Sequence, residues 1–84
     1  MTKILLTSEL IRAARALLRW DQRRLAETSS VSLPTIKRLE SKPGTLMAHA
    51  STMAALTRVL EEAGVEFIPE NGGGAGVRLR GRTT

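Results

Sequence analysis

A mainly α-helical domain of four to five helices, closed by a C-terminal β-hairpin, is the fold class that this sequence predicts. Three observations carry that expectation. Four segments between residues 7 and 64 place apolar residues at helical spacing, with Ser, Thr or Asp available at their starts as caps. After Gly64 the apolar period shortens to two, in stretches joined by a glycine-rich loop. At 84 residues the chain has room for one small domain and for no second, catalytic one.

The first helix opens at Thr7 or Ser8, whose hydroxyls accept from free N–H groups of the first turn, and Glu9 sits near its positive end. It runs to about Arg19, with Leu10, Ile11, Ala14, Leu17 and Leu18 on one face. Beside that face stand Arg12, Arg15 and Arg19. The like charges at Arg15 and Arg19 cost a few tenths of a kcal/mol, so either something else favours them or they are solvated. Asp21 caps a second, short helix from Gln22 to Thr28, with Leu25 and Ala26 inward. Ser29 and Ser30 interrupt it. Ser32 then caps a third helix, Leu33 to about Ser41, where Pro34 in the first turn costs no hydrogen bond and Ile36 and Leu39 face inward.

Lys42-Pro43-Gly44 ends the third helix, and residues 43–50 read as a loop anchored inward by Leu46 and Met47. A fourth helix from Ser51 or Thr52 carries Met53, Leu56, Val59 or Leu60, and Ala63, and stops at Gly64 as a left-handed cap. Val65–Ile68 and Val77–Arg80 form the hairpin, with 81–84 as a frayed tail. The expected division is a helical domain over 1–64 and the hairpin with its tail over 65–84.

Composition removes several classes of function. There is no cysteine, hence no disulfide framework, thiolate metal site or thiol nucleophile. His49 stands alone without a second ligand, and Glu61-Glu62 has ordinary surface character, so neither metal nor cofactor nor enzymatic chemistry is expected. The glycines at 72, 73, 74 and 76 lack the lysine and helix that a phosphate loop needs. The longest apolar run, Ile4-Leu5-Leu6, is far short of a membrane span, which leaves a cytoplasmic, nucleoid-associated protein as the expectation. Trp20, between the first two helices, reads as a core residue. With aromatics limited to Trp20 and Phe67 the core is lean, and oligomerisation would help it.

Thirteen Lys and Arg against eight Asp and Glu give a net charge of +5, which points to a polyanionic partner. Residues 12–42 alone carry +5. A second basic cluster, Arg78, Arg80 and Arg82, is offset by Glu61, Glu62, Glu66 and Glu70. Two surfaces with different tasks follow.

Two short helices separated by a three- or four-residue turn form the helix-turn-helix unit, whose second helix fits the roughly 12 Å major groove of DNA. Counting Gln22 as position one, Ala26 takes position five, where the helices cross and only a small side chain fits; Ser30 falls at nine in the turn and Ile36 at fifteen in the core. Through IRAARALLRWDQRRLAETSSVSLPTIKRLE, residues 11–40, and more loosely to Gly64, the chain resembles the XRE family of bacterial and phage regulators. The combination of Gln22, Leu25-Ala26, Val31-Ser32, Ile36 and Leu39-Glu40 carries the resemblance. Ser30 departs from the family's usual turn glycine, and a left-handed backbone there costs a non-Gly residue roughly 1 kcal/mol.

The resemblance implies a lambda-repressor-like domain that binds double-stranded DNA. It implies base reading by Ser32, Leu33, Pro34, Thr35, Lys37 and Arg38, and phosphate contacts from Gln22, with Arg23, Arg24 and Lys42 as further cationic grips. Thr35 suits a base edge or a thymine methyl, Lys37 and Arg38 suit guanine or a phosphate, and Leu33 and Pro34 offer apolar contact only. One module buries little DNA surface, so the expected form is a homodimer on a palindromic operator. Its expected joining element is the hairpin, through strand edges and Val65, Phe67, Val77 and Leu79, which also cover the fourth helix. A protein-interaction role, as an antitoxin or antiactivator holding a toxin or activator partner while controlling its own operon, is the alternative.

Overall fold

The computed structural model describes residues 6–81. They form α1 (Ser8–Leu18), α2 (Gln22–Ser29), α3 (Leu33–Ser41), α4 (Ala50–Glu62), β1 (Val65–Ile68) and β2 (Gly76–Leu79). Three caps act where expected. The Thr7 side chain accepts from the Leu10 N–H at 3.1 Å, Asp21 from Arg24 at 2.8 Å and Ser32 from Thr35 at 3.3 Å. Helix α4 opens earlier than at Ser51 or Thr52. Its N-cap is His49, whose carbonyl accepts from the Met53 N–H at 3.0 Å and whose side chain makes no capping bond.

The helix ends show where the chain turns without glycine. Arg19 (φ 59°) and Ser30 (φ 60°) both adopt the left-handed conformation. At α1 this lets the Trp20 N–H donate to the Arg15 carbonyl at 2.9 Å. After α4 the same conformation falls to Gly64 (φ 114°), one residue past the Ala63 cap.

Ile11 and Ala14 of α1, Leu25 of α2, Ile36 of α3, Leu56 and Leu60 of α4, and Val65 and Phe67 of β1 share one buried core. Burying each large aliphatic side chain stabilises the fold by about 1.5–3 kcal/mol. Helix α1 is the central plate. It packs on α3 and on both strands, while α2 joins α3 to α4 and α4 supports β1. Val65 and Phe67 belong to the same core as the helices, so β1 is part of the domain's interior, while β2 lies at its surface. Trp20 is half-buried against that core, with the Arg24 guanidinium 5.1 Å from its ring centroid.

Two expected inward residues face out. Leu17, at the rim of the arc centred on Ile11, Ala14 and Leu18, is 38% exposed. Met47 is 81% exposed. Its neighbour Leu46 takes the inward place, its N–H donating to the Leu6 carbonyl at 3.1 Å, and adjacent residues of extended chain point to opposite sides. The hairpin pairs Val65 with Leu79 and Ile68 with Gly76, so β2 begins and ends one residue before the expected bounds. Of the expected tail, residues 82–84 lie outside the described residues.

Because Ser30 holds a left-handed backbone, Ser30→Gly is expected to raise the unfolding free energy by about 0.5–1 kcal/mol, the relief of strain exceeding the added chain entropy. Urea denaturation measures it, and a lower midpoint would contradict the strain.

Candidate nucleic-acid interface

Helix α3 has an inner row, Ile36, Leu39 and Glu40, all buried, and an outer row in which Pro34, Lys37, Arg38 and Ser41 are exposed. Ser32 is exposed just before it, and Leu33 and Thr35 are half-buried. The Ser32 hydroxyl donates to Thr35 Oγ1 at 2.8 Å while accepting from the Thr35 N–H. Ser32 is thereby occupied by capping, and the Thr35 hydroxyl proton remains to be donated outward.

What holds α3 in place is polar. Glu40 is 5% exposed, and its carboxylate receives Arg15 through Nε at 2.8 Å and Nη2 at 2.6 Å, a two-pronged ion pair. Gln22 Nε2 donates to Glu40 Oε1 at 3.0 Å, Arg12 Nη1 to the Glu40 carbonyl at 3.0 Å, and Arg15 Nη1 to the Trp20 carbonyl at 3.0 Å. Glu40 thus ties α3 to α1 and to the first residue of α2, and its partner Arg15 ties the cluster to the α1–α2 link. Gln22, an expected phosphate ligand, is half-buried and directs one amide N–H into this cluster. Glu40 had no role assigned from sequence. The signal was the basic stripe on α1, whose Arg15 lacked a stabilising partner.

The remaining charges divide into spent and unspent. Arg58 pairs with Glu62 at 3.6 Å, Arg78 with Glu66 at 2.7 Å, and Arg80 donates to the Glu61 carbonyl. The Arg78 hydrogen bond and charge hold the Glu66 carboxyl below its ordinary range. Arg19, Arg23, Arg24, Lys37, Arg38 and Lys42 are exposed and make no ion pair among the described residues. Several of them flank α3. Arg23 lines a shallow depression with Ser32 and Leu33, and Arg38 and Lys42 line another with Leu46 and Met47. An open groove beside Thr35 and Arg38 is completed by His49 and Thr52, which sequence reasoning did not place near α3.

The residues expected to join two copies separate. The Val65 and Phe67 side chains are buried inside this chain, which removes them from any surface, and Val77 is half-buried. Leu79 is exposed. Among the described residues no three His, Cys, Asp or Glu side chains gather as metal ligands, and no helix is long and apolar enough to cross a membrane. No protein-family model and no curated protein matches the chain.

Removing the Glu40 carboxylate leaves Arg15 as a half-buried cation without its partner. Glu40→Ala is expected to cost about 3–5 kcal/mol in urea denaturation, whereas joint replacement by Arg15→Met and Glu40→Leu should recover most of that loss. Equal losses in the two variants would show that the ion pair itself supplies the stability.

Proposed function

We propose that this chain is a sequence-specific regulator of transcription that binds double-stranded DNA, acting as a repressor-type homodimer on a palindromic operator with α3 in the major groove. The reading includes membership of the XRE family and a lambda-repressor-like helix-turn-helix formed by α2 and α3. The observation that supports it is the partition of charge. The cations around the hairpin and the end of α4 have acidic or carbonyl partners, whereas six exposed cations on and near α2 and α3 have no acidic partner among the described residues. Unspent cations flanking an exposed helix suit a phosphate backbone, whose counterions are released on binding.

The roles follow from chemistry and position. Lys37 and Arg38, on the outer row, suit guanine O6 and N7. Thr35 offers its remaining proton or its methyl, and Pro34 an apolar surface for a thymine methyl. Arg23 and Lys42, at opposite ends of α3, suit the two phosphate strands that border the groove, with Arg24 and the second N–H of Gln22 beside them.

Selection from random duplex DNA should enrich a palindrome with half-sites about 34 Å apart. No enrichment would overturn the reading. If about six phosphates are neutralised per dimer, log K falls with log salt at a slope near −5. Arg38→Ala should cost about 1–3 kcal/mol and relax the preference at one base pair of each half-site, whereas Arg23→Ala should weaken all sequences alike and reduce the slope by about 1 per subunit.

A further inference from the structure

The outer row of α3 is short of hydrogen-bond acceptors. Its exposed side chains are Pro34, Lys37, Arg38 and Ser41, with Thr35 half-buried beside them. Lysine and arginine only donate. The Ser41 hydroxyl donates to the Arg38 carbonyl at 2.8 Å, and the Thr35 hydroxyl already accepts from Ser32 at 2.8 Å. The row holds no amide and no carboxylate, since Glu40 is buried and Glu27, which shares a depression with Leu33, stands on α2. Adenine is recognised by an amide that accepts from N6 while donating to N7, and cytosine by a carboxylate that accepts from N4. The row has side chains for neither. It offers donors for guanine and an apolar surface.

The apolar surface and a donor lie on one stripe. Pro34 and Arg38 stand four residues apart, so their Cβ atoms are about 5–6 Å from each other, against a rise of about 3.4 Å between base pairs. Pro34, whose ring carbons carry no polar group, and Arg38, which makes no ion pair among the described residues, therefore address base pairs one or two steps apart. In the major groove the apolar group that a base pair presents is the methyl on C5 of a pyrimidine. Thymine carries it, and 5-methylcytosine carries it at the same atom.

Resting on the DNA reading above, we propose that α3 recognises a 5-methylpyrimidine one or two steps from a guanine, with Pro34 as the methyl-sensing residue, and that it accepts 5-methylcytosine in place of thymine. The exchange turns a T·A pair into a C·G pair, so the purine opposite changes from adenine to guanine. An asparagine or glutamine on the row would reject that change, because its amide oxygen would lose the N6 donor and meet O6. This row has none, so the opposite base goes unread while the methyl stays in place. Cytosine methylation within the operator thereby strengthens binding, which gives the regulator an input besides base sequence.

The experiment starts from the palindrome enriched out of random duplex DNA and compares four pairs at the thymine position of both half-sites: T·A, U·A, 5-methyl-C·G and C·G. Burying one methyl group is worth about fourfold in affinity, so its loss from both half-sites costs about 15-fold. T·A and 5-methyl-C·G should bind alike, and U·A and C·G should both bind about 15-fold more weakly. In Pro34→Ser the ratio of T·A to U·A affinity should fall to near 1. A ratio taken within one protein does not depend on how much of it is folded, so a merely structural role for Pro34 would leave it unmoved. Four results would overturn the inference while leaving the DNA reading intact: equal binding of T·A and U·A, weaker binding of 5-methyl-C·G than of U·A, an unmoved ratio in Pro34→Ser, or a half-site with no thymine within two steps of a guanine. Absence of any enriched site rejects the DNA reading and this inference together.

Discussion

The Glu40 carboxylate fixes the relation of α3 to everything else. It sits among Arg15 of α1, the Gln22 amide at the start of α2 and its own helix, and hydrogen bonds from all sides satisfy it. A buried carboxylate is costly to remove from water, and an apolar residue of similar size would stabilise as well or better. What the ion pair adds is orientation. A two-pronged guanidinium accepts one geometry where leucine would accept several, so α3 is held at a set rotation as well as a set distance. That rotation decides which side chains form the outer row. The same carboxylate faces inward while Arg38, two positions before it, lies on the other side of the helix, and Lys37, about 60° round from Glu40, stands at the exposed flank.

The distribution of cations follows from this arrangement. Arg12 and Arg15 are drawn into the Glu40 cluster, Arg78 of β2 is matched by Glu66 of β1, and Arg80, just after β2, by the Glu61 carbonyl of α4. A net charge of +5 is therefore concentrated by subtraction. The internal pairs neutralise what lies elsewhere, and the excess remains on and near α2 and α3. Local concentration of charge, rather than total charge, governs both steering and phosphate affinity.

Much of the local structure was legible in the residues. Thr7, Asp21 and Ser32 mark three helix starts because a short hydroxyl or carboxylate before an apolar repeat has one cheap use. Ser30 was identified as the turn residue at risk of strain, and its φ of 60° is that strain. What was not legible depends on contacts between distant positions. The Arg15–Glu40 pair joins residues 25 positions apart, and no spacing rule connects them. Met47 and Leu46 are both apolar, and only the pairing of this loop with the segment around Leu6 and Thr7 decides which turns inward. The helical start at Ala50 was hidden because His49 caps with its backbone alone, leaving no side-chain signature.

The hairpin shows why a lean core and an open edge occur together. Val65 and Phe67 are needed inside to complete a core with few aromatics, and their strand must lie flat against α4 with its outer edge covered. The second strand then becomes the outermost layer. Its alternate residues Val77 and Leu79 cover α1 only in part, and their main-chain groups have no neighbouring strand among the described residues. Longer chains cover such an edge with another helix or strand. In this domain no described helix or strand lies beyond β2, so the lean core and the open edge have one cause: the only strand that can complete the core is the one whose burial puts its neighbour outermost.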